Sequence, residues 1–129
     1  MIEFRLSPDS GVPIYRQIQD QVWYGVALGL FRPGEQLPTV RALAVELAVN
    51  PNTVIKAYAE LERDGVITTE QGSGTFVAPW PAVEYSAAER RRTLDGLCVE
   101  FLAQAARHGF TARELLASLQ TLLRRRAES

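Results

Sequence analysis

The chain has one cysteine, one histidine and one methionine in 129 residues. A lone cysteine, Cys98, closes no internal disulfide, so a reducing compartment and a cytoplasmic protein are expected. With only His108 beside it there is no Cys/His set for zinc, and neither a metal nor a cofactor is expected. Because Cys98 falls on an apolar stripe, it is expected to be buried filler, not a nucleophile. No apolar run reaches the ~18 residues that a membrane span needs. The opening "MIEFRLSPDSG" also lacks the basic-then-apolar layout of a signal peptide. Neither a nucleophile elbow nor phosphate-loop spacing occurs, so enzyme chemistry is not expected. Missing, too, is any excess of positive charge, since the formal net charge is −1. Residues 1–80 hold six Lys/Arg against nine Asp/Glu, a net of −3, and residues 81–129 hold eight against six, a net of +2. Nucleic-acid binding would have to rest on a local surface, because the overall field does not favour it.

What the chain does have is helical periodicity, capping residues and one hairpin signal. Ile14, Ile18, Val22 and Val26 recur every four residues, with Tyr15 and Gly25 beside them, and predict a helix from about Pro13 to Leu28. Val40, Leu43, Ala44 and Leu47 predict a second, with Thr39 as its cap. A third begins at Pro51, where Asn50 accepts free amide hydrogens and proline lacks the hydrogen that would go unpaired. Its core stripe is Val54, Ala57, Tyr58 and Leu61, and Gly65 ends it. "VITTE" and "TFVA" flank "QGSG", which reads as a β-hairpin with a flexible tip. Three helices and then a hairpin is the order of a winged helix-turn-helix, expected over residues 10–79, with the helix-turn-helix at about 40–59 and the wing at about 66–78.

Two prolines in "PWPAV", residues 79–83, mark a stiff joint. Beyond it two leucine-rich helices, about 86–107 and 111–126, form an αα-hairpin over 84–127. Gly109 separates them, and Thr111 with Glu114 makes a capping box at the start of the second. So short a segment cannot close a core of its own, so its apolar faces require a partner. The fold expected is mostly α with a small β-hairpin, an N-terminal winged helix-turn-helix followed by a helical dimerisation segment. Trp23 and Tyr24 are expected in the core or at an interface. The arginine runs at 90–92 and 124–126 are read as solvated helix ends.

The third helix raises the functional question. With its stripe turned inward, the opposite arc holds Asn52, Thr53 and Lys56 and, further along, Glu60 and Arg63. Any half-exposed helix shows a polar arc of this kind. In a helix-turn-helix, however, the N-terminal end of this helix reaches base edges. Asparagine pairs with adenine, threonine bonds to a base or touches a thymine methyl, and lysine serves guanine or phosphate.

The stretches "LPTVRALA", "NPNTVIKAY", "LERDGVI" and "GSGTFV", in that order and spacing, resemble the DNA-binding domain of the GntR family of bacterial transcription regulators. The opening "FRLSPDSGVPIYRQI" and the short segment after Trp80 are similar to the family's YtrA-type branch, which has a two-helix C-terminal segment. The resemblance implies Arg41 on a phosphate or base edge, Asn52, Thr53 and Lys56 in the major groove, and Gln71, Gly72 and Ser73 in or along the minor groove. A surface ion pair with Glu46 is the alternative for Arg41. Several relatives carry further arginines in the recognition helix where this chain has Pro51 and Ile55. The function implied is a homodimeric repressor that binds a near-palindromic double-stranded operator, with transporter operons and its own gene among the targets. No membrane partner is expected, and a small-molecule effector is left unspecified. The competing reading is a winged-helix module for protein–protein contacts, which the net −3 of residues 1–80 favours.

Overall fold

The computed structural model describes residues 4–80 and 83–128. Its elements run α1 (Ile14–Ala27), α2 (Val40–Leu47), α3 (Pro51–Arg63), β1 (Ile67–Glu70), β2 (Gly74–Val77), α4 (Ala87–Arg107) and α5 (Ala112–Glu128). Two compact units divide the chain at residues 82 and 83. Of the joint expected at 79–83, Pro81 and Ala82 lie outside the described residues, as does the side chain of Arg126.

Local chemistry sets the helix ends of the first unit. Thr39 Oγ1 accepts from the Ala42 amide at 3.0 Å, and Asn50 Oδ1 accepts from the Asn52 amide at 2.8 Å, so both expected caps are formed. Between them Ala48 closes α2 in the left-handed region, with φ +56°. This turn is unusual for a residue with a β-carbon. It aims α3 away from α2 within three residues.

The core of this unit draws on every element. Ile18, Val22 and Val26 from α1 and Leu43 from α2 meet Val54, Ala57, Tyr58 and Leu61 from α3, all buried. Phe4, Phe31, Leu37, Val66, Ile67 and Val77 complete it. Each large aliphatic side chain removed from water contributes roughly 1.5–3 kcal/mol. The segment before α1 is stitched to that helix by glutamines. Gln17 accepts from the Ser7 amide at 2.8 Å, and Gln21 exchanges hydrogen bonds with the backbone of Arg5.

The wing is more than the expected hairpin. β1 and β2 pair antiparallel, Ile67 opposite Val77 and Glu70 opposite Gly74. The strip 34–37 joins β2 from the other side. The Gly34 amide donates to the Val77 carbonyl (2.7 Å), the Val77 amide to that of Glu35 (2.9 Å) and the Leu37 amide to that of Thr75 (2.8 Å). A short piece before α2 thus ties the wing to the helix-turn-helix.

The second unit is an αα-hairpin. Reciprocal capping boxes open both helices, Ser86 with Glu89 on α4 and Thr111 with Glu114 on α5. Hydrogen bonding by Ser86 lowers the Glu89 carboxyl below its ordinary range. No residue of α4 is buried. Leu94, Leu97, Phe101 and Leu102 on α4 and Leu116, Leu119 and Leu123 on α5 are all exposed. Cys98 is exposed with them, which corrects the expectation that it is buried filler. Its stripe is apolar, as expected, but no side chain of α5 or of the joining turn covers it. No helix among the described residues is long and apolar enough to cross a membrane.

Candidate nucleic-acid interface

Two helices and a hairpin tip hold the residues that the sequence singles out. Arg41 is exposed in the first turn of α2. The ion pairs seen among the described residues include Arg16–Asp20 and Arg91–Asp95, and none joins Arg41 to Glu46. Asn52 and Lys56 are exposed on α3 one turn apart, and Thr53 is half-buried at the edge of the same face. Gln71, Gly72 and Ser73 form the exposed wing tip, with Gly72 at φ +82°. The Ser73 amide donates back to the Glu70 carbonyl at 3.0 Å, which closes the turn.

The outward face of α3 is narrower than periodicity alone implied. Glu60 is half-buried and accepts from Gln19 Nε2 of α1, at 2.5 Å. It therefore belongs to the α1–α3 contact and not to the exposed arc, because α1 packs along that flank. The residues of α3 that remain exposed are Pro51, Asn52, Ile55, Lys56, Ala59, Glu62 and Arg63. Ile55 and Ala59 were not singled out by sequence, since an apolar residue off the main stripe carries no signal there.

Three tertiary contacts hold this face in place. The Tyr58 hydroxyl donates to the Pro38 carbonyl at 2.8 Å, which pins the start of α2 to the middle of α3. Burial pushes the pKa of that hydroxyl far above the ordinary phenol value, and the charge of Glu46 adds to the effect. The group stays a donor throughout the neutral range. Lys56 Nζ lies 3.9 Å from the centre of the Tyr15 ring on α1, a cation–π contact. The lysine's charge is thereby held over the α1 flank of α3. At the wing, Gln36 Nε2 donates to the Ser73 carbonyl at 3.2 Å. A β-carbon on Gly74, which has φ +127°, would fall 2.6 Å from that same nitrogen. The positive φ is what calls for glycine there, since the end of the Gln36 side chain could shift aside.

Chemically, the arrangement offers a cation and a free amide hydrogen-bonding group one turn apart at the start of a helix, a second cation on the preceding helix, and a glycine-bearing loop beside them. Asparagine and lysine so placed match the edges displayed in a major groove. Among the described residues no group of three or more His, Cys, Asp or Glu is placed to hold a metal ion.

Known proteins share both the sequence and the shape. Residues 14–77 match the description "Bacterial regulatory proteins, gntR family". The chain is 37% identical over 114 residues to the uncharacterized HTH-type transcriptional regulator YhcF of Bacillus subtilis, a match covering 87% of this chain and 91% of that protein. It is 47% identical over 74 residues, 57% of each chain, to the HTH-type transcriptional repressor YtrA of the same organism. Among solved structures, YtrA from Sulfolobus acidocaldarius, a GntR-family transcription factor, superposes with TM-score 0.58 at 34% identity over 78% of this chain and 97% of that one. The AraR DNA-binding domain in complex with operator ORR3 does so with TM-score 0.51 at 28% identity over 60% of this chain and 93% of the other.

Proposed function

The chain belongs to the gntR family of bacterial regulatory proteins, winged-helix transcription regulators that bind DNA and catalyse no reaction, and from that premise we propose that it is a homodimeric repressor of a near-palindromic operator. The observation that carries the proposal is the open face of α3. It presents Asn52 and Lys56 at the helix's N-terminal half, where a recognition helix meets base edges. Arg41, exposed in the first turn of α2, serves the phosphate backbone. Thr53 adds a hydroxyl and a methyl at the edge of the face, and Gln71, Gly72 and Ser73 follow the adjacent minor groove. Repression then needs only occupancy of the operator. The name of the B. subtilis YtrA, a repressor, supports that direction.

The C-terminal helices supply the dimer. Leu94, Leu97, Phe101 and Leu119 lie exposed on a segment that buries nothing along α4. Water does not favour so much uncovered apolar surface. A second copy of the same hairpin covers it in an isologous contact. Two readers so joined address half-sites with centres about 10 base pairs apart. Two or three cations from each subunit neutralise roughly 4–6 phosphates, which gives a log–log salt slope of about −4 to −5. Specificity must come mainly from bases and DNA shape, because the reader unit carries net negative charge.

Selection of binding sites from a random duplex pool tests this directly. The expected product is an inverted repeat, bound tightly at physiological salt beside weak binding to random DNA. If no motif is enriched even at low salt, the winged helix is an interaction module for other proteins, as the net −3 of residues 1–80 would favour.

A further inference from the structure

Ile55 has no part in the core, yet it stands in the middle of the surface offered to DNA. It is 51% exposed, three residues after Asn52 and one before Lys56. A β-branched side chain loses rotamer freedom in a helix. At an exposed position little of that cost is recovered by burial. Single apolar residues on a protein surface are ordinary, but this one lies in the first two turns of the recognition helix. Its neighbour one turn on, Ala59, is also exposed and carries only a methyl. On the opposite flank Lys56 lies over Tyr15 and Glu60 is bonded to Gln19. The open face therefore carries Lys56 on the side against α1 and Ile55 and Ala59 on the side away from it, with the exposed Glu62 following them toward the C-terminal end of the helix.

We propose that Ile55 is a specificity-determining residue that packs against the C5-methyl of a thymine in each operator half-site. The inference rests on the DNA-binding reading above and adds the chemistry of one base. In the major groove thymine alone presents a methyl group, and an apolar side chain recognises it by contact. Asn52 and Lys56 then read polar edges while Ile55 reads a methyl on the other side of Asn52.

The experiment uses the full chain and the inverted repeat recovered by selection. Each thymidine of one half-site is replaced in turn by deoxyuridine, which removes only the methyl. At one or two positions the wild type should bind about fourfold more weakly, the worth of one buried methyl group. Ile55→Ala should bind the thymidine and deoxyuridine duplexes equally at those positions, with its melting temperature unchanged. Ile55→Val should keep the discrimination. Equal penalties in the wild type and Ile55→Ala at every thymidine, or none in the wild type, would overturn the inference and leave the DNA-binding reading standing. A selection that enriches no motif would remove both.

Discussion

The two units of this chain are both built from amphipathic helices, and they end up in opposite states. In the first, α1, α2 and α3 find one another and the wing, and Ile18, Val22, Leu43, Val54, Ala57 and Leu61 are almost wholly removed from water. In the second, α4 is longer than any helix of the first, is capped at its start, and buries no residue. Capping and periodicity are thus enough to form a helix pair but not to satisfy it. Two helices offer each other one seam, and any further apolar stripe stays wet. The reader closes its own core because a third helix and a wing cover the remaining sides. The hairpin has no such cover along α4, and in the proposed dimer a second copy of the chain supplies it.

The sharpest way to break this comparison is to separate the units. A fragment ending at Trp80 should fold, because its core is self-contained, but sediment as a monomer. It should bind the operator at least about a hundredfold more weakly, since linked readers gain effective concentration that single ones lack. A dimeric fragment of undiminished affinity would show that the C-terminal helices do not join the subunits.

A smaller effect sharpens the contrast within the reader itself, between residues that hold the fold and residues that face outward. Arg41→Ala and Lys56→Ala should each cost about 1–3 kcal/mol of operator binding. Melting temperature should scarcely move, because both side chains are exposed. Quantitative footprinting beside thermal melts measures the two together. Wild-type affinity in both variants would displace α3 from the groove.

The smallest effect concerns the start of α4. Glu89 has a lowered pKa because Ser86 hydrogen-bonds its carboxylate. A depressed folded-state value means stabilisation that is present above the ordinary glutamate pKa of about 4.3 and lost as pH falls through the folded value. Helicity of the α4 N-terminus should therefore decline on acidification below that range, followed by amide exchange at residues 87–90. Ser86→Ala should show the decline already at neutral pH. An N-terminal turn equally protected in the variant and the wild type would deny the box any role.

Much of this architecture was legible because its signals are local. Thr39, Asn50 and the Thr111–Glu114 pair cap helices through contacts two or three residues away. The stripe of α3 likewise needed only its period. What was not legible depends on a neighbour from elsewhere in the chain. Glu60 looked solvent-facing until α1 brought Gln19 to it. The pairing of 34–37 with β2 rests on three backbone bonds that no side-chain pattern announces. Tyr15 reads as part of the α1 stripe, and its contact with Lys56 appears only when two helices cross. Cys98 was misjudged for a different reason. The stripe was read correctly, but α4 buries none of it. At the site, polar residues on the outward arc announced themselves, whereas Ile55 did not, because an exposed aliphatic residue looks like noise without a structure.

The brace at the wing has a consequence for the spacing of bases along an operator. Gln36 sits just ahead of α2 and donates to the Ser73 carbonyl at the hairpin tip, beside a glycine held at positive φ. Loop tip and recognition helix are thereby mounted on one short strut, like the two jaws of a locked caliper. Under the proposed docking, this tie would constrain the interval between the bases met by the tip and those met by α3. A single base pair inserted between the two would rotate one contact by about a tenth of a helical turn.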